Sequence, residues 1–222
     1  MLLAIFVMPG IVSAQIIDVS KIKYLNSALR DKKEDYNYES IKGNPYMEKE
    51  FKKGLISYAK EEKKIRASLR YNMLSDRFEM EIWDDVYLLK TNKNIEYINY
   101  LNKVFKYKEY INKDGQTKKG YVIQLVEGEY PLFKKMKTVY REAEPPETGY
   151  DSYKPPRFER LDDLYLMELK DEVFEIESFR KRKFLKLYFK DKKSEYLDYM
   201  KENNINLRRE DEMIQFFKYI NN

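Results

Sequence analysis

The chain has 222 residues, 43% hydrophobic and 36% charged, with no Cys and no His. Their absence excludes disulfides, thiolate nucleophiles, histidine general bases and zinc sites built on Cys or His, leaving Asp/Glu, Lys, Tyr or Ser/Thr for any chemistry. The formal net charge of +5 is carried by residues 178–222, which hold 12 Lys/Arg against 7 Asp/Glu, so a neutral body precedes a basic tail. Aromatic usage is skewed to 21 Tyr and 12 Phe beside one Trp. Tyrosine suits thin sheets, because its ring packs inward while its hydroxyl reaches water.

Residues 1–14 have the character of a signal peptide. An apolar run, Leu2 to Met8, precedes Pro9 and Gly10, and Val12 and Ala14 suit the −3 and −1 positions of a cleavage site. The run is too short to cross a bilayer as a helix. Cleavage after Ala14 would release a mature chain into the periplasm, cell envelope or extracellular space, with no transmembrane span. Residues 15–50 then read as a loosely ordered lead-in, because Arg30 to Asp35 is a charge-mixed run.

At the end of this lead-in come Gly43, Asn44, Pro45 and Tyr46, then Glu50, Phe51 and Gly54. Further on stand Arg141, Glu142, Ala143, Glu144, Pro145 and Pro146, followed by Arg157 and Phe158. In these stretches the chain resembles an uncharacterised group of exported Bacteroidetes-type proteins. The resemblance implies export and supplies no activity. Read physically, Gly43 to Tyr46 is a turn that delivers the chain into its first strand.

Residues 51–177 alternate with period two. Ile65, Ala67, Leu69 and Tyr71 share one face of a half-buried strand after the turn at Glu61, Glu62 and Lys63. Phe78, Met80 and Ile82 share a second such face, against Arg77, Glu79 and Glu81. The strongest local signal is the hairpin from Lys103 to Glu127 around Asp114 and Gly115, whose odd positions Phe105, Tyr107, Ile111, Tyr121, Ile123 and Leu125 are apolar. Lys106 and Lys108 give Lys103–Tyr110 the look of an edge strand. Tyr130–Arg141 reads as one long strand, and Leu164–Leu169 with Val173–Ile176 as a last hairpin. Between them Pro145, Pro146, Pro155 and Pro156 fence a loop that leaves the sheet.

After Ser178, a cap residue, the period becomes helical, with Phe184, Leu185, Tyr188 and Phe189 in one stripe and Met213, Phe216, Phe217 and Ile220 in another. The expectation is an α+β fold: an antiparallel β meander, closed as a barrel or folded as a sandwich, with a small basic helical unit at residues 178–222.

Three groups of residues are candidate sites. Glu142 and Glu144, two apart on a strand, would stand roughly 7 Å apart on one face, a span that fits acid–base hydrolysis of a glycosidic bond. Arg141 and Arg157 bracket the proline loop with Tyr150 and Tyr153 inside it, a setting for ion pairs or for an anionic ligand. Arg180, Lys181, Arg182 and Lys183 form a basic patch; the aromatics between its cations are needed for packing, and export argues against nucleic acid. No metal or cofactor motif is present. The first expectation is an exported, non-enzymatic binding protein whose partner is an envelope protein or a glycan. Its alternatives are a carboxylate-dependent hydrolase of a sugar-type substrate and a lipocalin-like carrier of an apolar ligand.

Overall fold

The computed structural model describes residues 16–18, 29–32, 38, 41–59, 63–83, 85–91, 94–146 and 152–222. The signal segment 1–14, the turn residues Glu61 and Glu62, and Tyr150 lie outside them. Two short strands come from the lead-in: β1 (Ile16–Asp18) lies parallel to β4 (Lys63–Asn72), and β2 (Leu29–Lys32) pairs with β6 (Asp85–Leu89). The sheet continues through β3 (Lys52–Tyr58), β5 (Arg77–Ile82), β7 (Ile95–Tyr100), β8 (Lys103–Ile111), β9 (Thr117–Val126), β10 (Leu132–Lys135), β13 (Leu164–Leu169) and β14 (Glu172–Glu175). A separate antiparallel ribbon joins β11 (Thr138–Arg141) to β12 (Arg157–Arg160). The expected long strand over 130–141 is therefore two strands in different sheets.

Five strands, β8, β9, β10, β13 and β14, form a ring. A meander with an odd number of strands begins and ends in the same direction, so its closure must be parallel. Phe174 of β14 indeed pairs in parallel with Ile111 of β8. Each strand of the ring sends one side chain into a common cluster: Tyr110, Val122, Phe133, Leu166 and Val173. This small barrel is filled by its own side chains, as a narrow barrel must be.

The opposite face of β8 and β9 serves a larger core. Phe105, Tyr121 and Ile123 join Ile56, Leu69, Tyr71, Phe78, Met80 and Tyr100 there. Phe78 on β5 lies edge-on to Tyr121 on β9 at 5.1 Å, although β8, β7, β3 and β4 separate their strands in the sheet. Only a strongly curled sheet allows that contact. Because β8 and β9 are a wall shared by two cores, β8 is no edge strand. Its Lys108 is bonded to Glu168 at 2.9 Å.

The helices α1 (Lys181–Tyr188), α2 (Lys193–Glu202) and α3 (Glu210–Ile220) pack on the outside of the ring. Phe184, Leu185, Tyr196, Met200, Phe216 and Phe217 cluster with Val126, Leu132, Met167 and Ile176 from the sheet. Asn221 clasps the β9–β10 turn, accepting from the Tyr130 N–H (2.7 Å) and donating to its carbonyl (3.0 Å). Ser178 is not the cap of α1 but lies two residues before it: its hydroxyl accepts from the N–H of Arg180, which occupies the cap position. No helix among the described residues is long and apolar enough to cross a membrane.

The two stretches that carry the resemblance meet. Gly43 has φ +96°, and a Cβ there would overlap the Phe158 carbonyl, so this crossing requires glycine. Phe158 N–H donates to Lys42 O (2.8 Å), and Met73 N–H donates to Pro45 O (2.8 Å). The Arg70 guanidinium lies 3.9 Å over the Tyr46 ring and 4.3 Å over that of Phe51, and it pairs with Glu79 at 2.7 Å. Glu79 belongs to the polar face of β5 by period, yet its side chain is only 1% exposed. Arg70 and Asn72, under the 41–51 segment, cover it. The motif is thus a structural clamp between β4 and β12.

Candidate functional site

The curl of the large sheet leaves a seam where the β4–β5 turn approaches the β8–β9 hairpin. On its floor Asp76 takes φ +53°, a left-handed conformation that Asp tolerates better than most side chains. Its Oδ1 accepts from the Tyr71 hydroxyl (2.5 Å) and the Tyr121 N–H (3.3 Å). Its Oδ2 accepts from Lys135 Nζ at 2.7 Å, and that amine also donates to Tyr121 O at 3.2 Å. A Cβ on Gly120 would overlap both the Asp76 carboxylate and the Lys135 amine, so the glycine makes room for the pair. Burial, then the Asp76 charge and hydrogen bond, push the Tyr71 phenol well above its ordinary pKa, so it stays a donor.

Above this floor opens a cleft of about 590 Å³ lined by Ser75, Asp76, Arg77, Leu89, Lys90, Thr91, Tyr107 and Lys119. Lys135 neutralises the Asp76 charge from below, so the cations Arg77, Lys90 and Lys119 dominate the walls. Lys119 is held at the rim by Glu109 (2.7 Å), an exposed and exchangeable pair. Ser75, Thr91 and Tyr107 add hydroxyls, and the Tyr107 ring is 41% exposed although it lies on the apolar side by period. The arrangement can hold an anion that also carries hydroxyls. Asp76 is the only acidic group lining the cleft among the described residues, and it is fully engaged.

The residues singled out in the sequence lie elsewhere. Glu144 bonds both Lys154 (2.9 Å) and Arg157 (3.1 Å), and these bonds, led by that of Lys154, hold its carboxyl below the usual range. Glu142 is exposed on the same ribbon. Arg141 bonds Glu159 at 3.1 Å, and Arg157 lies 3.8 Å from the same carboxylate, so the bracket is an ion-pair lattice at the base of the proline loop. Tyr153 is exposed on that loop.

In the basic patch Lys181 is half-buried and spent on the Met200 carbonyl at the end of α2 (3.1 Å), whereas Arg180, Arg182 and Lys183 are exposed. No cluster of three or more carboxylates suited to a metal ion is present among the described residues.

Period-two reading missed the cleft because its residues come from separated places: the β4–β5 turn, the end of β6, and the strands β8 and β9. One signal did mark it: Gly120 interrupts an otherwise regular strand, a sign of close approach by another group. Comparison of the chain with protein-family models, with curated proteins and with solved structures yields no match.

Proposed function

We propose that the protein is an exported, non-enzymatic binding protein of the cell envelope, and that its ligand is an acidic, hydroxyl-rich molecule of the glycan class. The observation that carries this reading is the cleft, in which Arg77, Lys90 and Lys119 surround hydroxyl donors over a floor already charge-balanced. Carboxylate or sulfate groups would pair with the cations, and sugar hydroxyls with Ser75, Thr91 and Tyr107. The absence of Cys and His is consistent with binding rather than nucleophilic chemistry. Export rests on the character of residues 1–14 and on the resemblance to the exported Bacteroidetes-type group. The hydrolase reading loses its support because Glu144 is tied up in ion pairs.

Calorimetric titration with a uronic-acid tetrasaccharide, beside a neutral glucose tetrasaccharide, tests the ligand class. The acidic sugar should bind, and Arg77→Glu with Lys119→Glu should weaken it at least ~100-fold, about tenfold for each charge-assisted bond. Equal affinity for both sugars, or no effect of the double variant, would overturn the reading. Mass measurement of the native protein tests export: a chain starting at Gln15 is expected.

A further inference from the structure

The outer face of α1 concentrates exposed cations on two helical turns. The helix buries Phe184 and Leu185, and Tyr188 stacks on Phe174 at 5.2 Å, so the opposite face is turned outward. That face presents Arg182, Lys183 and Lys186, with Lys190 just beyond the helix end, and all four are exposed. Several exposed cations elsewhere do have carboxylate partners: Lys154 with Glu144, Lys201 with Asp198, Arg209 with Asp211. No ion pair is formed by the four cations of the α1 face among the described residues.

Their position also runs against the helix dipole. The first turn of α1 contains no acid and the cap residue Arg180 makes no side-chain cap bond. In α3 the same turn holds Glu210, Asp211 and Glu212. Cations at a helix N-terminus oppose its partial positive charge and weaken the helix. Lys181 bonds the Met200 carbonyl, but helix stability does not account for Arg182 and Lys183 standing beside it. On the same face Leu187 leaves 44% of its surface in water.

We infer that the α1 face rests on an anionic lipid surface, with Arg182, Lys183, Lys186 and Lys190 against the headgroups and Leu187 entering the interface. Charge complementarity argues for an anionic partner, and the exposed leucine argues for a bilayer over a soluble polyanion. A membrane interface buries an apolar side chain beside cations, whereas a hydrated polymer has no use for it. The attachment is weak, reversible and salt-labile, because each contact is an exposed charge screened within a Debye length of ~10 Å at 0.1 M salt. It is independent of the cleft and stands or falls separately from the ligand proposed there.

The test is sedimentation of the full chain with phosphatidylcholine vesicles, with and without phosphatidylglycerol. The readout is the ratio of partitioning onto anionic and uncharged vesicles, which any contribution from the apolar residues 1–14 leaves near one. The wild-type ratio should be at least ~10 at low salt and should collapse toward one near 1 M salt, where the Debye length is ~3 Å. The variant Arg182→Glu/Lys183→Glu/Lys186→Glu should lose the preference while its thermal midpoint stays equal or rises, since acids suit the first turn of a helix. Leu187→Ala should lower partitioning onto anionic vesicles severalfold without changing its salt dependence. A wild-type ratio near one, a ratio unchanged in the triple variant, or capture by a soluble polyanion such as heparin without vesicle binding would overturn the inference.

Discussion

Lys135 Nζ lies 2.7 Å from Asp76 Oδ2, and this contact ties the two cores of the molecule together. Asp76 belongs to the turn after β4 and Lys135 to the barrel strand β10. Their side chains are 26% and 9% exposed, so the pair is largely removed from water, and losing one partner strands the other. Asp76→Ala should destabilise the fold by about 3–5 kcal/mol in urea unfolding, the range for breaking a buried pair. Adding Lys135→Met should recover part of that loss. Gly120→Ala should destabilise too, by about 1–3 kcal/mol, through forced displacement of the same two groups. Additive effects of Asp76→Ala and Lys135→Met would contradict the coupling.

Arg70, near the same end of β4, makes a second link. It reaches Glu79 Oε2 with Nε (3.1 Å) and Nη2 (2.7 Å), donates to Lys49 O, and stacks on Tyr46 and Phe51. Lysine can supply the charge and not the planar fork. Arg70→Lys should cost about 1–3 kcal/mol, and Arg70→Ala about 3–5 kcal/mol, by leaving Glu79 short of its cation. Limited proteolysis should show the 41–51 segment opening in both variants before the barrel does. A variant as stable as the parent would show that the clamp is ornamental.

Alkaline unfolding follows from the tyrosines. Burial, ahead of any charge, pushes Tyr100 and Tyr110 up to about 12, and raises Tyr71, Tyr121 and Tyr165 as well. A phenol whose pKa is raised on folding contributes stability below the unfolded value of 10.0, and loses it as pH climbs through the folded value. Stability should therefore fall steeply between pH 10 and about 12, each such group adding up to ~1.4 kcal/mol per pH unit. Tyrosinate absorbance should rise in a cooperative step coincident with loss of strand circular dichroism. A gradual, non-cooperative titration would contradict the burial assigned to these rings.

Trp83, the only tryptophan, carries φ +50° in the tight turn between β5 and β6 and is 75% exposed. A bulky side chain in the left-handed region is strained, whereas Asn tolerates it. Trp83→Asn should raise stability by about 0.5–1 kcal/mol, read as a higher thermal midpoint by circular dichroism. A lower midpoint would mean that the indole makes stabilising contacts across the turn.

Much of this architecture is written in period-two alternation. Ile65, Ala67, Leu69 and Tyr71, and then Phe78, Met80 and Ile82, are buried as their spacing demands. The hairpin from Lys103 to Val126 and the switch to helices after residue 180 also follow from pattern. Alternation assigns one buried face per strand, however, and β8 and β9 have two. Val122 and Tyr110 fill the barrel while Phe105 and Tyr121 fill the larger core. Which strands close a ring is a long-range fact that no local window contains.

The candidate site was less legible for the same reason. Asp76 and Lys135, 59 residues apart, meet only because the sheet curls. The acidic pair and the arginines were visible as clusters because they lie near one another in sequence. In space that proximity yields ion pairs at the base of a loop.

The most direct test of the cleft as the binding site is amide chemical-shift mapping during titration with the acidic tetrasaccharide. The account predicts saturable shifts centred on Ser75, Arg77, Thr91, Tyr107 and Lys119, with the Arg141 and Arg157 ribbon and the α1 face unmoved. Shifts confined to either of those surfaces, or none in the cleft at saturating ligand, would contradict it.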